Sequence, residues 1–322
     1  MELWQLQQLQ RLPLEVKIRK TQERIKEWYE YWDGQVYVSF SGGKDSTVLL
    51  DIARKLYPDI EAVFIDTGLE YPEIRKFVKK FDKVVWVKPE MNFKKVLDTY
   101  GYPVISKEVS HMLKYAKRDD DSKSSVYNQS KLNGTLKDKK GKKSIYNQEK
   151  YKYLLDAPFN ISDDCCKVMK KQPVKKYERE SGNKAIIGML AEESFLRQSS
   201  WLKHGCNAFN ANRPTSNPLS FWTEQDILHY IMQNNLEIAD CYGKIIKESP
   251  LHRLFYTEEA KDILTTSKCK RTGCMFCMFG VHLEKEPNRF QMMKETHPKQ
   301  YNYCINKLGL NKILDFIGVK YE

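Results

Sequence analysis

The sequence predicts an α/β protein, with a doubly wound, mainly parallel sheet and a helical, cysteine-rich C-terminal region. Three observations carry that expectation. Short apolar, β-branched runs alternate with helical patterns between residues 36 and 240, the signature of strands joined by crossover helices. The first run, Val36 to Val38, leads straight into a Ser/Gly turn and a helix start. Five of the eight cysteines fall in two tight groups, Cys165–Cys166 and Cys269, Cys274, Cys277.

Taken in order, residues 1–35 form an N-terminal helical segment. Leu14, Ile18, Ile25, Trp28, Tyr29 and Trp32 recur at helical spacing, and the helix ends near Asp33-Gly34. Residues 36–240 form the α/β domain, with a basic insertion at about 118–150. Its first strand is followed by a turn from Ser39 to Gly43, in which two glycines allow positive φ and close backbone approach. Ser46 to Leu50 open a helix, so free N–H groups and a positive dipole end form an anion cradle. Ile60 to Ile65 is the second strand, with Asp66-Thr67-Gly68 at its carboxyl end, where ligands of open sheets bind. A helix from Pro72, a third strand at 83–87, and helices at 92–100 and 106–117 follow. Lys107 is a phosphate candidate in the last of these.

Residues 118–150 differ from their surroundings. They are polar and basic, and they contain KDKKGKK at Lys137 to Lys143. Two near-copies, SVYNQSK and SIYNQEK, flank Asn133-Gly134. They read either as the strands of a surface hairpin or as a mobile loop. Tyr127 and Tyr146 among the basic residues suit a nucleic-acid backbone and its bases, and an insertion with no ligand is the competing reading. Further on, Asn183 to Gly188 is another strand. MLAEESFLR at 189–197 follows it, and Thr223 caps a helix containing Ile227, Leu228, Tyr230 and Ile231. Residues 241–322 are the cysteine-rich metal or iron–sulfur region, with Cys304 expected as a buried free thiol.

Composition bounds the function. The net charge of +12 points to a polyanionic partner, nucleic acid first, against a lysine-rich solubilising surface. No apolar run approaches the roughly 20 residues of a membrane span, and the N-terminus lacks a signal-peptide layout. A soluble, cytoplasmic protein with no membrane partner is expected. In that compartment eight cysteines speak for metal or catalysis before disulfides.

The Ser41–Ser46 string, SGGKDS, departs from the common nucleoside-triphosphate loop, since Val38 stands where the first glycine belongs and Asp45 follows Lys44. It resembles the pyrophosphatase loop of the N-type ATP pyrophosphatases, whose fold is adenine nucleotide alpha hydrolase-like and which split ATP between the α- and β-phosphates. VFIDTGLEYPE resembles the second block of the phosphoadenosine-phosphosulfate reductase branch, and MLAEESFLR resembles a later one. The resemblance implies ATP and Mg²⁺ as cofactors. It implies Lys44 and Asp45 as catalytic residues, and nucleotide contacts from Ser39, Ser41, Gly42, Gly43, Lys44, Asp45, Ser46, Asp66, Thr67, Gly68, Glu192 and Arg197. Glu193 is a further candidate, with a salt bridge at helical spacing as its other reading.

The thiols point to a four-cysteine site. Cys269, Cys274 and Cys277 form a C-x4-C-x2-C arrangement that needs a fourth ligand, Cys165 or Cys166 first and Cys206 after them. Zn²⁺ and a [4Fe–4S] cluster both suit such a set. The tandem Cys165-Cys166 with a later C-x2-C resembles the [4Fe–4S] reductases of adenosine phosphosulfate. One upstream cysteine with three downstream resembles the sulfur-transfer enzyme of DNA phosphorothioation. Sulfonucleotide reductases end in a Glu-Cys-Gly-hydrophobic-His motif. Here Phe279 precedes Gly280-Val281-His282, so the nucleophile is missing. The expectation is ATP-dependent adenylation of an acceptor, nucleic acid first, coupled to sulfur transfer with a cysteine desulfurase as donor. A sulfonucleotide reductase using Cys206, Cys241 or Cys304 is the first alternative, and a nucleotide- and nucleic-acid-binding module without turnover is the second.

Overall fold

A computed structural model describes residues 1–118, 120–248 and 263–322. The chain divides into two bodies. The first comprises Met1–Asp66, Glu70–Lys88 and Val174–Gly273, and the second Thr67–Leu69, Pro89–Pro173 and Cys274–Glu322. The described strands are β1 (Val36–Ser39), β2 (Glu61–Ile65), β3 (Val84–Val87), β4 (Val104–Ile105), β5 (Lys184–Ile187), β6 (Asn207–Ala208), β7 (Thr215–Ser216), β8 (Ile245–Lys247), β9 (Leu264–Thr266) and β10 (Met278–Phe279).

The first body is built on a six-stranded sheet of order β3-β2-β1-β5-β7-β6. Every pairing is parallel except β6 on β7. The chain leaves β1 towards β2 and β3 on one side, then returns to β5 and β7 on the other. The carboxyl ends of β1 and β5 therefore flank the switch point, the place where such sheets bind ligands. The expected doubly wound, mainly parallel fold is what the structure has.

Side-chain alternation along β1 explains its two covered faces. Val36 and Val38 point into the main core with Trp28, Ile25, Val48, Leu49 and Ile52. Tyr37 points the other way, onto Val63 and Ala185, with its hydroxyl on Glu178 at 2.9 Å. The Leu14–Tyr31 helix supplies Ile25 and Trp28 to the core and carries the fully buried Lys17. Lys17 Nζ meets Asp226 Oδ2 at 2.5 Å and the Gln10 carbonyl at 2.7 Å, so its charge is paired and hydrogen-bonded, as burial requires. Thr223 caps the Glu224–Gln233 helix as expected, in a reciprocal box with Asp226.

In the second body β4 pairs in parallel with β10. The Phe93–Tyr100 and Lys107–Ala116 helices start at Asn92 and Ser106, whose side chains accept from Lys95 and Val109 N–H groups. The tail helices run Arg289–Thr296, Pro298–Asn302 and Leu310–Phe316, and Cys304 is buried as expected.

One expectation fails here. SVYNQSK is helical, lying within Lys123–Leu132, because Ser122 caps that helix and accepts the Ser125 N–H. Asn133 and Gly134 (φ +72°) end the helix and do not turn a hairpin. The reversal comes instead inside the lysine run. Asp138 Oδ1 accepts the Lys140 and Lys142 N–H groups, Gly141 takes φ +77°, and Lys137 bridges Lys143 in antiparallel register.

Candidate functional site

The Ser41–Ser46 loop leaves the carboxyl end of β1 after the half-buried Ser39, and enters the Lys44–Leu56 helix through Gly43. Of the two glycines, only Gly42 needs its freedom of φ, at +71°. A Cβ there would stand 2.7 Å from Val78 Cγ2 and 2.9 Å from Ile74 Cγ2. Gly43 has φ −76°, an ordinary value, so the expected positive φ is absent there. Its constraint is contact, since a Cβ would lie 3.2 Å from both Ser41 Oγ and Tyr242 Oη. Ser46 holds the loop closed, its Oγ accepting the Ser41 N–H at 3.2 Å and reaching the Gly43 carbonyl at 2.9 Å.

Lys44 is 3 % exposed, at the helix N-terminus. Its Nζ faces Glu224 Oε1 at 3.3 Å, Asp45 Oδ1 at 3.6 Å and the Lys270 carbonyl at 3.3 Å. A buried cation among carboxylates at a helix start is suited to a highly charged anion that arrives with its own counter-cation. Asp45 Oδ1 is buried with no hydrogen-bond partner. Burial raises the Asp45 carboxyl above its ordinary range, with Lys44 opposing and Glu224 adding to the rise.

From β5 the chain passes Gly188, where a Cβ would lie 3.1 Å from the Asp45 carbonyl oxygen, so only glycine lets this strand end close on the loop helix. The Ala191–Glu193 turn follows. Glu192 Oε1 accepts the Glu224 N–H at 2.6 Å, and burial raises its carboxyl. Arg197 pairs with Glu193 at helical spacing, and Arg271 reaches Glu193 at 3.5 Å. Burial also lowers the Arg197 guanidinium. Asp66, 6 % exposed beyond β2, is paired with Arg75 at 2.8 Å.

In the first body the structure thus assembles Ser41, Gly42, Gly43, Lys44, Asp45 and Ser46, with Glu192 joined to them through Glu224. Thr67 and Gly68 belong to the second body, where Thr67 Oγ1 accepts the Leu69 N–H at 3.2 Å and Gly68 has φ +75°. Sequence reasoning missed Glu224, Tyr242, Lys270 and Thr272, which stand around the loop. Lys270 and Thr272 lie within the C-x4-C spacing, but nothing in that spacing marks them as neighbours of the loop, and only the fold brings the four there.

The cysteines separate by body. Cys165, Cys166, Cys274 and Cys277 all lie in the second. The adjacent Cys166 raises the Cys165 thiol, and burial and the neighbouring Cys274 and Cys277 add to that. Cys166 is lowered by Cys165, aided by Lys107 and Lys170. The Cys277 N–H donates to the Cys274 carbonyl at 3.1 Å, making a tight knuckle beside the buried Met275, Phe276 and Met278. Cys269 lies in the first body, where the neighbouring Cys241 lowers its thiol and is itself raised. Among the described residues no group of three or more His, Cys, Asp or Glu side chains is arranged to hold a metal ion. No helix among the described residues is long and apolar enough to cross a membrane.

The chain is 40% identical over 298 residues, 90% of its length, to the uncharacterized protein MJ0973 of Methanocaldococcus jannaschii. It is 44% identical over 85 residues, 24% of its length, to the uncharacterized protein MJ0066 of the same organism. The chain spans 52% of the first relative and the shorter match spans 18% of the second. A crystal structure of phosphoadenylyl-sulfate reductase from Candida auris, in complex with phosphate, aligns over 74% of this chain and 90% of its own at 14% identity, with a TM-score of 0.40. At that level the likeness adds nothing to the sequence match. Residues 35–117 and 84–279 match the phosphoadenosine phosphosulfate reductase domain, and with three quarters of the chain so covered the protein belongs to the phosphoadenosine phosphosulfate reductase family.

Proposed function

We propose that this protein is an ATP pyrophosphatase that adenylates an acceptor and couples that activation to sulfur transfer, with nucleic acid as the acceptor class. One observation carries the reading. The family's nucleotide loop is complete, with Lys44 buried at the helix start, while Phe279 stands where a reductase would need its thiol. The other candidate nucleophiles are poorly placed for that role. Burial raises Cys206 and pushes Cys304 up to about 12, and the neighbouring Cys269 together with burial raises Cys241.

In this reading the pyrophosphate portion of ATP lies on the Ser41–Ser46 backbone, and Lys44 neutralises charge developing on the leaving oxygens. An oxygen of the acceptor attacks the α-phosphorus, and the α–β phosphoanhydride bond breaks. Pyrophosphate leaves and the acceptor carries AMP. A sulfur nucleophile then displaces AMP, taking the carbon–oxygen bond's place with a carbon–sulfur bond, or the corresponding bond at phosphorus. Asp45, with its orphaned buried oxygen, and Glu192 are the carboxylates suited to Mg²⁺ accompanying the nucleotide. Cys165, Cys166, Cys274 and Cys277 fit a [4Fe–4S] cluster by donor chemistry, and Zn²⁺ is the alternative occupant. A bound cluster would supply a sulfur-handling or electron-handling centre. The net charge of +12 supports a nucleic-acid acceptor, and a cysteine desulfurase is the partner class that would supply the sulfur.

The test uses anaerobically purified protein with ATP, Mg²⁺ and either DNA or RNA, following AMP and pyrophosphate. Release that depends on nucleic acid supports the proposal. Sulfite release from a sulfonucleotide, with ATP inert, would replace it by a reductase.

A further inference from the structure

The nucleotide loop is covered by two short segments that pair with each other. The Tyr242 hydroxyl accepts the Lys44 N–H at 3.2 Å and shares a hydrogen bond with Thr272 Oγ1 at 2.8 Å. The Lys270 carbonyl accepts from Lys44 Nζ at 3.3 Å. The helix-start N–H and the lysine ammonium are two donors that a phosphate would use, and protein groups hold both.

The covering segments join at their cysteines. The Cys269 N–H donates to the Cys241 carbonyl at 3.2 Å, and the two free thiols are near enough for each to shift the other, Cys241 upward and Cys269 downward. Neighbouring bonds extend the contact into a ribbon, from Lys268 N–H to the Tyr242 carbonyl and from Ser267 N–H to the Lys244 carbonyl, and on into the antiparallel β8–β9 pair. A backbone bond between the two cysteines places their Cα atoms in the roughly 4.4–6.8 Å range that a disulfide spans. Tyr242 directly follows Cys241, and Lys270 directly follows Cys269. A bond between these sulfurs would therefore tie together the two residues whose neighbours occupy the loop.

We propose that Cys241 and Cys269 form a reversible disulfide that locks Tyr242 and Thr272 over the Ser41–Ser46 loop and closes it to nucleotide. This rests on the ATP reading of that loop. The oxidant is a low-molecular-weight disulfide. The half-buried Cys269 attacks it as thiolate, forming a mixed disulfide and releasing one thiol. Cys241 then loses its proton and displaces the second thiol, so two protein thiols become one disulfide and the oxidant becomes two thiols. Reduction frees the ribbon end, leaving the cover held by hydrogen bonds that a charged ligand can displace.

The experiment measures ATP binding by calorimetry on protein that is reduced, oxidised with glutathione disulfide, and re-reduced with dithiothreitol, with peptide mapping under non-reducing conditions. The expected result is a linked pair of peptides containing Cys241 and Cys269. ATP affinity should be at least tenfold weaker in the oxidised protein and restored by reduction, and Cys241→Ser should bind ATP like reduced wild type and ignore the oxidant. Absence of the linked peptides overturns the proposal, as does unchanged affinity despite the link. Because wild type is its own control through re-reduction, the test survives a variant that fails to fold. If the reduced protein binds no ATP, the ATP reading fails and the gate with it. If it binds ATP in both states, the gate alone fails.

Discussion

Gly42→Ala and Gly43→Ala place the same methyl group one residue apart in the loop, and the structure assigns them opposite outcomes. At Gly42 the φ of +71° costs an L-residue about 1–2 kcal/mol. The added Cβ would also press on Val78 and Ile74 at under 3 Å. Both are buried in the main core, and overpacking of that kind costs about 1–3 kcal/mol. Reduced freedom of the unfolded chain returns about 0.4–1 kcal/mol, leaving Gly42→Ala destabilised by about 3 kcal/mol. At Gly43 the φ is already ordinary and the contacts at 3.2 Å are hydroxyls on side chains that can shift by a few tenths of an ångström. Gly43→Ala should therefore lie within about 1 kcal/mol of wild type, the same entropy term offsetting the crowding. Urea unfolding of the three proteins, followed by tryptophan fluorescence, measures both differences. Equal stability of the two variants, or a less stable Gly43→Ala, would refute the assignment of the left-handed residue and with it the loop geometry.

Lys44→Met should lower nucleic-acid-dependent AMP formation by about 100-fold or more, since one preorganised charge at developing oxyanions is worth that much; pre-steady-state AMP release measures it. Burial raises Asp45 above its unfolded value, so the stability tied to its protonated form is full below about pH 4 and is lost as pH rises through the folded value. Asp45→Asn should accordingly unfold later than wild type at pH 7 with the gap closing near pH 4, as urea midpoints across that range would record. Lys17→Met strands Asp226 against the core, although Thr223 still donates to that carboxylate. A loss of about 3 kcal/mol in urea unfolding is expected. Serine at Cys165 or Cys274 should remove most of the iron and labile sulfide of anaerobically purified protein, whereas Cys269→Ser should retain it.

The sheet was legible because its strands obey simple patterns. Val36 to Val38 is a buried central strand by composition, and the turn after it could only be a strand-to-helix connection. Helix starts were legible where a capping side chain marks them, as at Asn92, Ser106 and Thr223. The pattern failed at SVYNQSK because two near-copies invited a symmetric hairpin, whereas Ser122 gives the first copy a helix cap. It failed again at Gly43, since a glycine conserves space as readily as it permits φ > 0, and composition cannot tell the two apart. Glu224, Tyr242 and Thr272 were invisible for a different reason. They approach the loop from far along the chain, through packing of the Glu224–Gln233 helix and the Asp240–Tyr242 turn.

The cysteines show how spacing and partition can disagree. Cys269 stands five residues before Cys274, and spacing alone makes them ligands of one site. Cys269 belongs to the first body and Cys274 to the second, and Cys241 is the neighbour that lowers the free Cys269 thiol. Removing Cys269 from the downstream group leaves one C-x2-C knuckle and the tandem Cys165-Cys166, four sulfurs in a single body. Four is the number that a closed thiolate site requires. Under the two proposals above, the eight thiols would divide into a donor set of four, a pair beside the Ser41–Ser46 loop, and the separate Cys206 and Cys304. If both proposals hold, the pair and the donor set have different roles, and oxidation of the pair is then separable from occupancy of the donor set. Iron retention in oxidised protein that has lost ATP binding would display that separation directly, and loss of both together would count against it.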